Sequence, residues 1–137
     1  MNRILVDTNI LIYAIDQDSR FFHQARRILD NSDFDLTTTS KNLSEFLAVV
    51  TKPNGYGLSS DIACEILEEI TQSLQVLFPN QESLSIFTKL LHAYQPTSLK
   101  VHDFEIISIG LAHEVRHFAT FNSKDFEPVN EINIVEL

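Results

Sequence analysis

Short β-prone runs separated by longer stretches of helical spacing recur along this chain, and no other feature narrows its fold as much. ILV (residues 4–6) is a strand-length apolar run stopped by Asp7, and a dense apolar stretch from Thr8 to Ile15 then predicts a helix. FFHQARRILDN places Phe22, Ala25, Ile28 and Leu29 at helical spacing, and FDLTTT (residues 34–39) is β-prone. SKNLSEFLAVVTK follows with Leu43, Phe46, Leu47 and Val50 on one helical face. After the loop PNGYG (residues 53–57), in which Gly55 and Gly57 supply flexibility, LSSDIACEILEEITQS reads as a serine-capped helix and LQVLF as a strand. NQESLSIFTKLLHAY and DFEIISIGLAHEV read as helices, HFATF and INIVEL as strands. Such alternation predicts an α/β fold, with parallel strands covered by helices on both faces. In sheets of this kind, sites form at the carboxyl ends of strands, where the strand order reverses.

At 137 residues the chain is long enough for one domain with a real core. Cys64 is its single cysteine, so no internal disulfide forms. Its apolar-periodic setting, DIACEILEEI, predicts a core or boundary position. The first residues lack a clean hydrophobic stretch with a cleavage site, and no apolar run approaches the ~20 residues of a membrane span, so a cytoplasmic protein without a membrane anchor is expected. With 10 Lys and Arg against 19 Asp and Glu, the net charge of −9 argues against a nucleic-acid coat protein. A nuclease stays open, because carboxylates that hold cations look acidic only until the metal binds.

Three acids fall on the predicted carboxyl side of the sheet. Asp7 ends the first strand, Glu45 lies near the start of the SKNLSEF helix, and Asp103 opens DFEIISIGLA. Asn122 and Asp125 follow the HFATF strand. Each has a structural explanation. Asp7 and Asp103 stand where helix N-caps are favoured, Glu45 follows Asn42 at capping-box spacing, and Asp125 fits a solvated turn. Caps alone need not share one side of the sheet, however. Carboxylates gathered in one cleft repel unless a cation neutralises them, and Mg²⁺ or Mn²⁺ prefers oxygen ligands. A metal-dependent hydrolase site is the expectation.

LVDTNILIYAID, SKNLSEFLAVVTKP and VHDFEIISIGLAHEVRHFATFNSKDF together resemble the PIN-domain ribonucleases, and within them the VapC-type toxins of toxin–antitoxin pairs. Residues 54–100 carry little of that resemblance. It implies a single PIN domain over residues 1–137, a three-layer α/β/α sandwich with a central parallel sheet of about five strands. Asp7, Glu45 and Asp103 would be acidic metal ligands, with Thr8, Asn9 and Thr120 in support. Asn122 takes the fourth acidic position; it brings an oxygen but no charge, and Asp125 compensates directly or through water. Also implied are Mg²⁺ or Mn²⁺ as cofactor, RNA cleavage leaving 5′-phosphate and 3′-hydroxyl ends, homodimerisation and a small antitoxin that blocks the cleft. Lys41, Lys52, Lys124 and Arg20 lie in segments expected to rim that cleft. The alternative is a PIN-fold binding or assembly module whose metal site Asn122 weakens.

Other motifs compete less well. HEVRH (residues 113–117) matches the zinc-protease pattern H-E-x-x-H, which requires one helix through both histidines and a third ligand. Here β-prone residues follow at once, so His117 is expected to begin a strand. A haloacid-dehalogenase-type phosphatase needs D-x-D, and Asn9 stands where the second acid belongs. A response-regulator receiver needs paired acids where this chain has D-T-N, although Lys124 is suitably late. His102, beside Asp103, is expected to pack or to support a ligand.

Overall fold

The computed structural model describes residues 2–137. Five parallel strands, β1 (Asn2–Val6), β2 (Phe34–Thr39), β3 (Gln75–Leu77), β4 (His117–Ala119) and β5 (Asn133–Ile134), form one sheet in the order β3-β2-β1-β4-β5. The chain adds strands outward from β1 to β3, then crosses back to lay β4 on the other side of β1. The order therefore reverses at the β1–β4 pair, where Ile4 faces His117 and Val6 faces Ala119. Both strands end there, at Asp7 and Thr120.

Alternation along β1 divides the core. Ile4 and Val6 pack with Ile10 and Leu11 of α1 (Thr8–Tyr13), Ala25 of α2 (Phe22–Leu29), Phe46 and Val50 of α3 (Ser40–Val50) and Ala63 of α4 (Ser60–Thr71). Leu5 points the other way, to Leu90 of α5 (Gln81–Tyr94), to Phe104, Ile106, Ile107 and Ile109 of α6 (Lys100–Ala112), and to Phe126 of α7 (Ser123–Phe126). The result is the expected three-layer α/β/α sandwich with five parallel strands. The threonines of FDLTTT are wholly buried without penalty, because Thr37 Oγ1 donates to Ile4 O and Thr38 Oγ1 to Val6 O. Gly110 lets α6 approach the sheet: a Cβ there would lie 2.9 Å from Phe118 Cζ and 3.0 Å from Leu5 Cδ1.

Several local expectations need correction. α6 begins at Lys100, not at Asp103, after a cap residue, Leu99, that makes no side-chain cap bond. FNSKDF contains a one-turn helix that has too few residues to show a period. Cys64 is exposed, because Ala63 is the residue of that helix turned to the core. His102 is exposed too, and so does not serve in packing.

Candidate functional site

Asp7 sits at the reversal of strand order, fixed by its neighbours on three sides. Its backbone N–H donates to Ala119 O at 2.9 Å, clamping the end of β1 to β4. One carboxylate oxygen, Oδ1, accepts from Thr8 N at 2.8 Å and from Asn42 Nδ2 at 3.4 Å; the other, Oδ2, accepts from Thr120 Oγ1 at 2.8 Å. Asp7 is thus the N-cap of α1, yet its second oxygen reaches across to the residue after β4. Thr120 in turn accepts from Asn9 Nδ2 and from Asn122 N, at 3.2 and 3.0 Å. Asn9 Oδ1 takes the N–H of Phe121. The D-T-N triplet and the segment after β4 form one network.

Glu45 is attached through Thr8, whose hydroxyl donates to Glu45 Oε2 at 2.9 Å and accepts from Asn42 Nδ2 at 3.0 Å. The capping-box reading of Glu45 is wrong. The box of α3 is Thr39 with Asn42: Asn42 N donates to Thr39 Oγ1, and Thr39 N donates to Asn42 Oδ1. The last residue of β2 doubles as the cap, so the helix starts earlier than the N-L-S-E spacing implied. That frees the Glu45 carboxylate to face Thr8. Asn42, wholly buried, touches both Asp7 and Thr8 and holds the two segments together.

Asp103, in the first turn of α6, is not the cap that its predicted position implied. Burial, then the charges of Asp7, Asp125 and Glu45, push its carboxyl up to about 7; Lys100 pulls the other way. Asp7 is raised by burial and by Glu45 and Asp125, against the lowering effect of its bonds from Thr120 and Thr8. Asp7, Glu45, Asp103 and Asp125 therefore share one electrostatic field despite their separation along the chain. Asn122 stands just before α7, exposed, with no cap bond from its side chain. Lys41 is half-buried, whereas Lys52, Lys124 and Arg20 are exposed.

Among the described residues, no group of three His, Cys, Asp or Glu side chains closes into a ligand set for an ion. The donor chemistry still fits a hard divalent cation. Carboxylates such as Asp7 and Asp103, raised by burial and by neighbouring negative charge, are relieved by a nearby positive charge, and Mg²⁺ is commonly held by one or two carboxylates plus waters and phosphates. The HEVRH segment has no such fit. α6 ends at Ala112, Glu114 has a left-handed φ of 63°, and His117 begins β4. His113 Nε2 lies 2.9 Å from Phe78 O, so the two histidines do not share a helical face.

Residue reading alone missed Asn42 as a positioning group and Lys100 as the cation that acts on Asp103. The positioning role of Asn42 has no local signal, because Asp7 and Thr8, the site groups it touches, lie about 35 residues away. The i, i+3 pairing of Lys100 with Asp103 becomes visible only once the start of α6 is known.

A model of the PIN domain family matches residues 4–131. The chain belongs to that family. No curated protein sequence matches this PIN domain significantly. Among solved structures, it is similar to VapBC-1 from nontypeable Haemophilus influenzae, with 18% identity, a TM-score of 0.73, and 98% of this chain and 97% of that one covered. VapBC2 from Rickettsia felis, bound to a promoter DNA fragment, shares 16% identity, with 98% of each chain covered and a TM-score of 0.74. VapC20 from Mycobacterium tuberculosis, described as a Sarcin-Ricin loop cleaving toxin, shares 12% identity, with 92% of this chain and 95% of that one covered and a TM-score of 0.71. These likenesses carry the fold of this PIN domain. None of its helices, among the described residues, is long and apolar enough to cross a membrane.

Proposed function

We propose that this chain, as one PIN domain over residues 1–137, is a Mg²⁺- or Mn²⁺-dependent endoribonuclease and the cytoplasmic toxin of a toxin–antitoxin pair. One observation carries the reading: where the strand order reverses, Asp7 and Asp103, from distant segments, are held above the usual carboxylate range by burial and by the charges of Glu45 and Asp125. Asp7, Glu45, Asp103 and Asn122 would hold the ion, which when bound offsets phosphate charge and makes a water more acidic. The chain's own groups set the geometry. Thr120 and Asn42 orient Asp7, Thr8 presents Glu45, and Asn9 ties the end of β4 to α1. Asp125, half-buried beside this set, is the carboxylate that compensates for the neutral Asn122 and accepts a proton from the attacking water. The water oxygen bonds to phosphorus, the P–O3′ bond breaks and the departing O3′ takes a proton from solvent, which leaves 5′-phosphate and 3′-hydroxyl ends.

Similar solved structures described as toxin–antitoxin complexes or members of the VapBC family of toxin–antitoxin systems support a small antitoxin as partner. Phe78, Leu84 and Leu99, 61, 61 and 78% exposed, are apolar surface of the kind that a homodimer or antitoxin covers. The test is RNA cleavage by purified protein with Mg²⁺ or Mn²⁺, with chelator, and with Asp7→Asn. Cleavage should occur only in the first case; equal cleavage in all three would point to a contaminant. The exposed, neutral Asn122 favours a second reading, a binding or assembly module with a weakened metal site. Absence of Mn²⁺ binding by calorimetry, with partner binding intact, would select it.

A further inference from the structure

Beside the carboxylates lies a cluster of rings that the proposed chemistry does not use. Phe121 follows Thr120, the residue whose hydroxyl donates to Asp7, and its backbone N–H is held by Asn9. The Phe121 ring stacks on Phe21, with centroids 4.7 Å apart and planes 27° from parallel; Tyr13 leans on both at 5.6 and 5.2 Å. Tyr13 and Phe121 pack against the core, but Phe21, at the end of the loop into α2, stands outside it as the outer ring. The exposed guanidinium of Arg20 lies over the Phe21 ring, 4.7 Å from its centroid. Next to the two phenylalanines opens a cavity of about 470 Å³ that reaches Thr120, with Gln24, Ser123 and Glu127 also on its wall.

The composition of this cavity selects what enters it. Its size falls in the usual small-ligand range of about 300–1,000 Å³. Glu127 and Glu136 on its wall oppose a phosphate there, whereas aromatic rings favour a flat π-system of any sequence. Gln24 and Ser123 offer hydrogen bonds to a base edge. Arg20, whose guanidinium lies over Phe21, offers a cation to the phosphate of the same nucleotide. Recognition of single-stranded RNA proceeds through such splayed bases on aromatic side chains and guanidinium planes.

We propose that the cavity beside Phe21 and Phe121 is a base-binding subsite that takes one unstacked RNA nucleobase adjoining the phosphate at Asp7. The inference rests on the ribonuclease reading for the identity of that phosphate. It gives the ring stack a function, that of fixing which internucleotide bond lies at the carboxylates.

The experiment uses short single-stranded RNAs carrying 2-aminopurine, or an abasic ribose, at successive positions around the cleavage site. Asp7→Asn protein binding the 2-aminopurine series should alter fluorescence at one position, and adding Phe21→Ala should abolish that response. In cleavage by otherwise native protein, Phe21→Ala should raise KM about tenfold or more, as loss of a stacked base does. The abasic substitution should cost the same at that position and nothing further in Phe21→Ala, while Phe21→Tyr retains the native KM. Circular dichroism checks that each variant is folded. Cleavage with additive abasic and Phe21→Ala penalties, or with neither, overturns the subsite and leaves the nuclease reading standing. A Phe21-dependent fluorescence response without any cleavage sustains the subsite and overturns the nuclease reading. Loss in Phe21→Ala of protein-partner binding alone, with RNA unaffected, assigns the rings to that partner and overturns the proposal.

Discussion

Asp103 is held where its charged form is unfavourable, and that has a measurable consequence. Its folded pKa of about 7 exceeds the ordinary 3.8, so the folded chain holds this proton more tightly than the unfolded chain does. The sign follows: stability is greatest below about pH 4, falls as pH rises from there, and has lost the whole contribution above about 7. Because Asp103 is only half-buried, solvent screening limits the loss to about 1–2 kcal/mol. Without divalent metal, Asp103→Asn should therefore be more stable than native protein at pH 8 by about that amount, with the gap closing only toward pH 4. Urea unfolding at the two pH values measures it; a gap independent of pH would remove ionisation as its source. Mn²⁺ at pH 8 should narrow the gap, since only the native chain keeps every carboxylate.

Between neighbouring elements, Asn42 joins α3 to the start of α1. Its side chain closes the N-terminus of α3 and also donates to Thr8 and Asp7. Asn42→Ala removes a cap and leaves buried partners short of a bond, so it should cost about 2–3 kcal/mol and lower cleavage with the fold retained. Chemical denaturation beside activity separates the two effects. Activity lost without stability would leave only the support of Thr8 and Asp7 in place of the cap. The alternation of strands and helices was readable in the sequence because the apolar period changes between them. The three acids stood out because each lies near a junction. Helix starts were harder. Thr39 ends a strand and caps a helix at once, α6 begins without a side-chain cap, and contacts across 35 or more residues leave no spacing to read. Gly110 was equally silent, its reason lying in Phe118 and Leu5 of other elements. Both are buried and have little room to yield. Gly110→Ala gains about 1 kcal/mol of helix propensity yet meets them at 2.9 and 3.0 Å, and overpacking costs about 1–3 kcal/mol. A lowered denaturation midpoint is expected, and a raised one would mean that α6 shifts freely.

The molecule as a whole carries a charge of −9, and RNA is also an anion. Long-range repulsion therefore opposes the proposed reaction, and binding must come from local features. On the proposed reading these would be a divalent cation at the carboxylates, a few basic side chains such as Arg20, and stacking at Phe21. Each basic contact to single-stranded RNA contributes about 0.7 to the slope of log K against log salt. Three contacts would give a slope near −2, so a fourfold rise in KCl should weaken binding by no more than roughly twentyfold. Removal of divalent metal acts at the centre of the negative field and should weaken it further, because the phosphate then meets Asp7, Glu45, Asp103 and Asp125 uncompensated. Binding of an RNA whose scissile linkage is a 3′-methylene phosphonate, which keeps the charge but has no P–O3′ bond to break, titrated with KCl at fixed Mn²⁺ and again with chelator, compares the two. A steep salt slope that persists in chelator would place the affinity in an extended basic surface, which a chain with 10 Lys and Arg against 19 Asp and Glu does not readily supply.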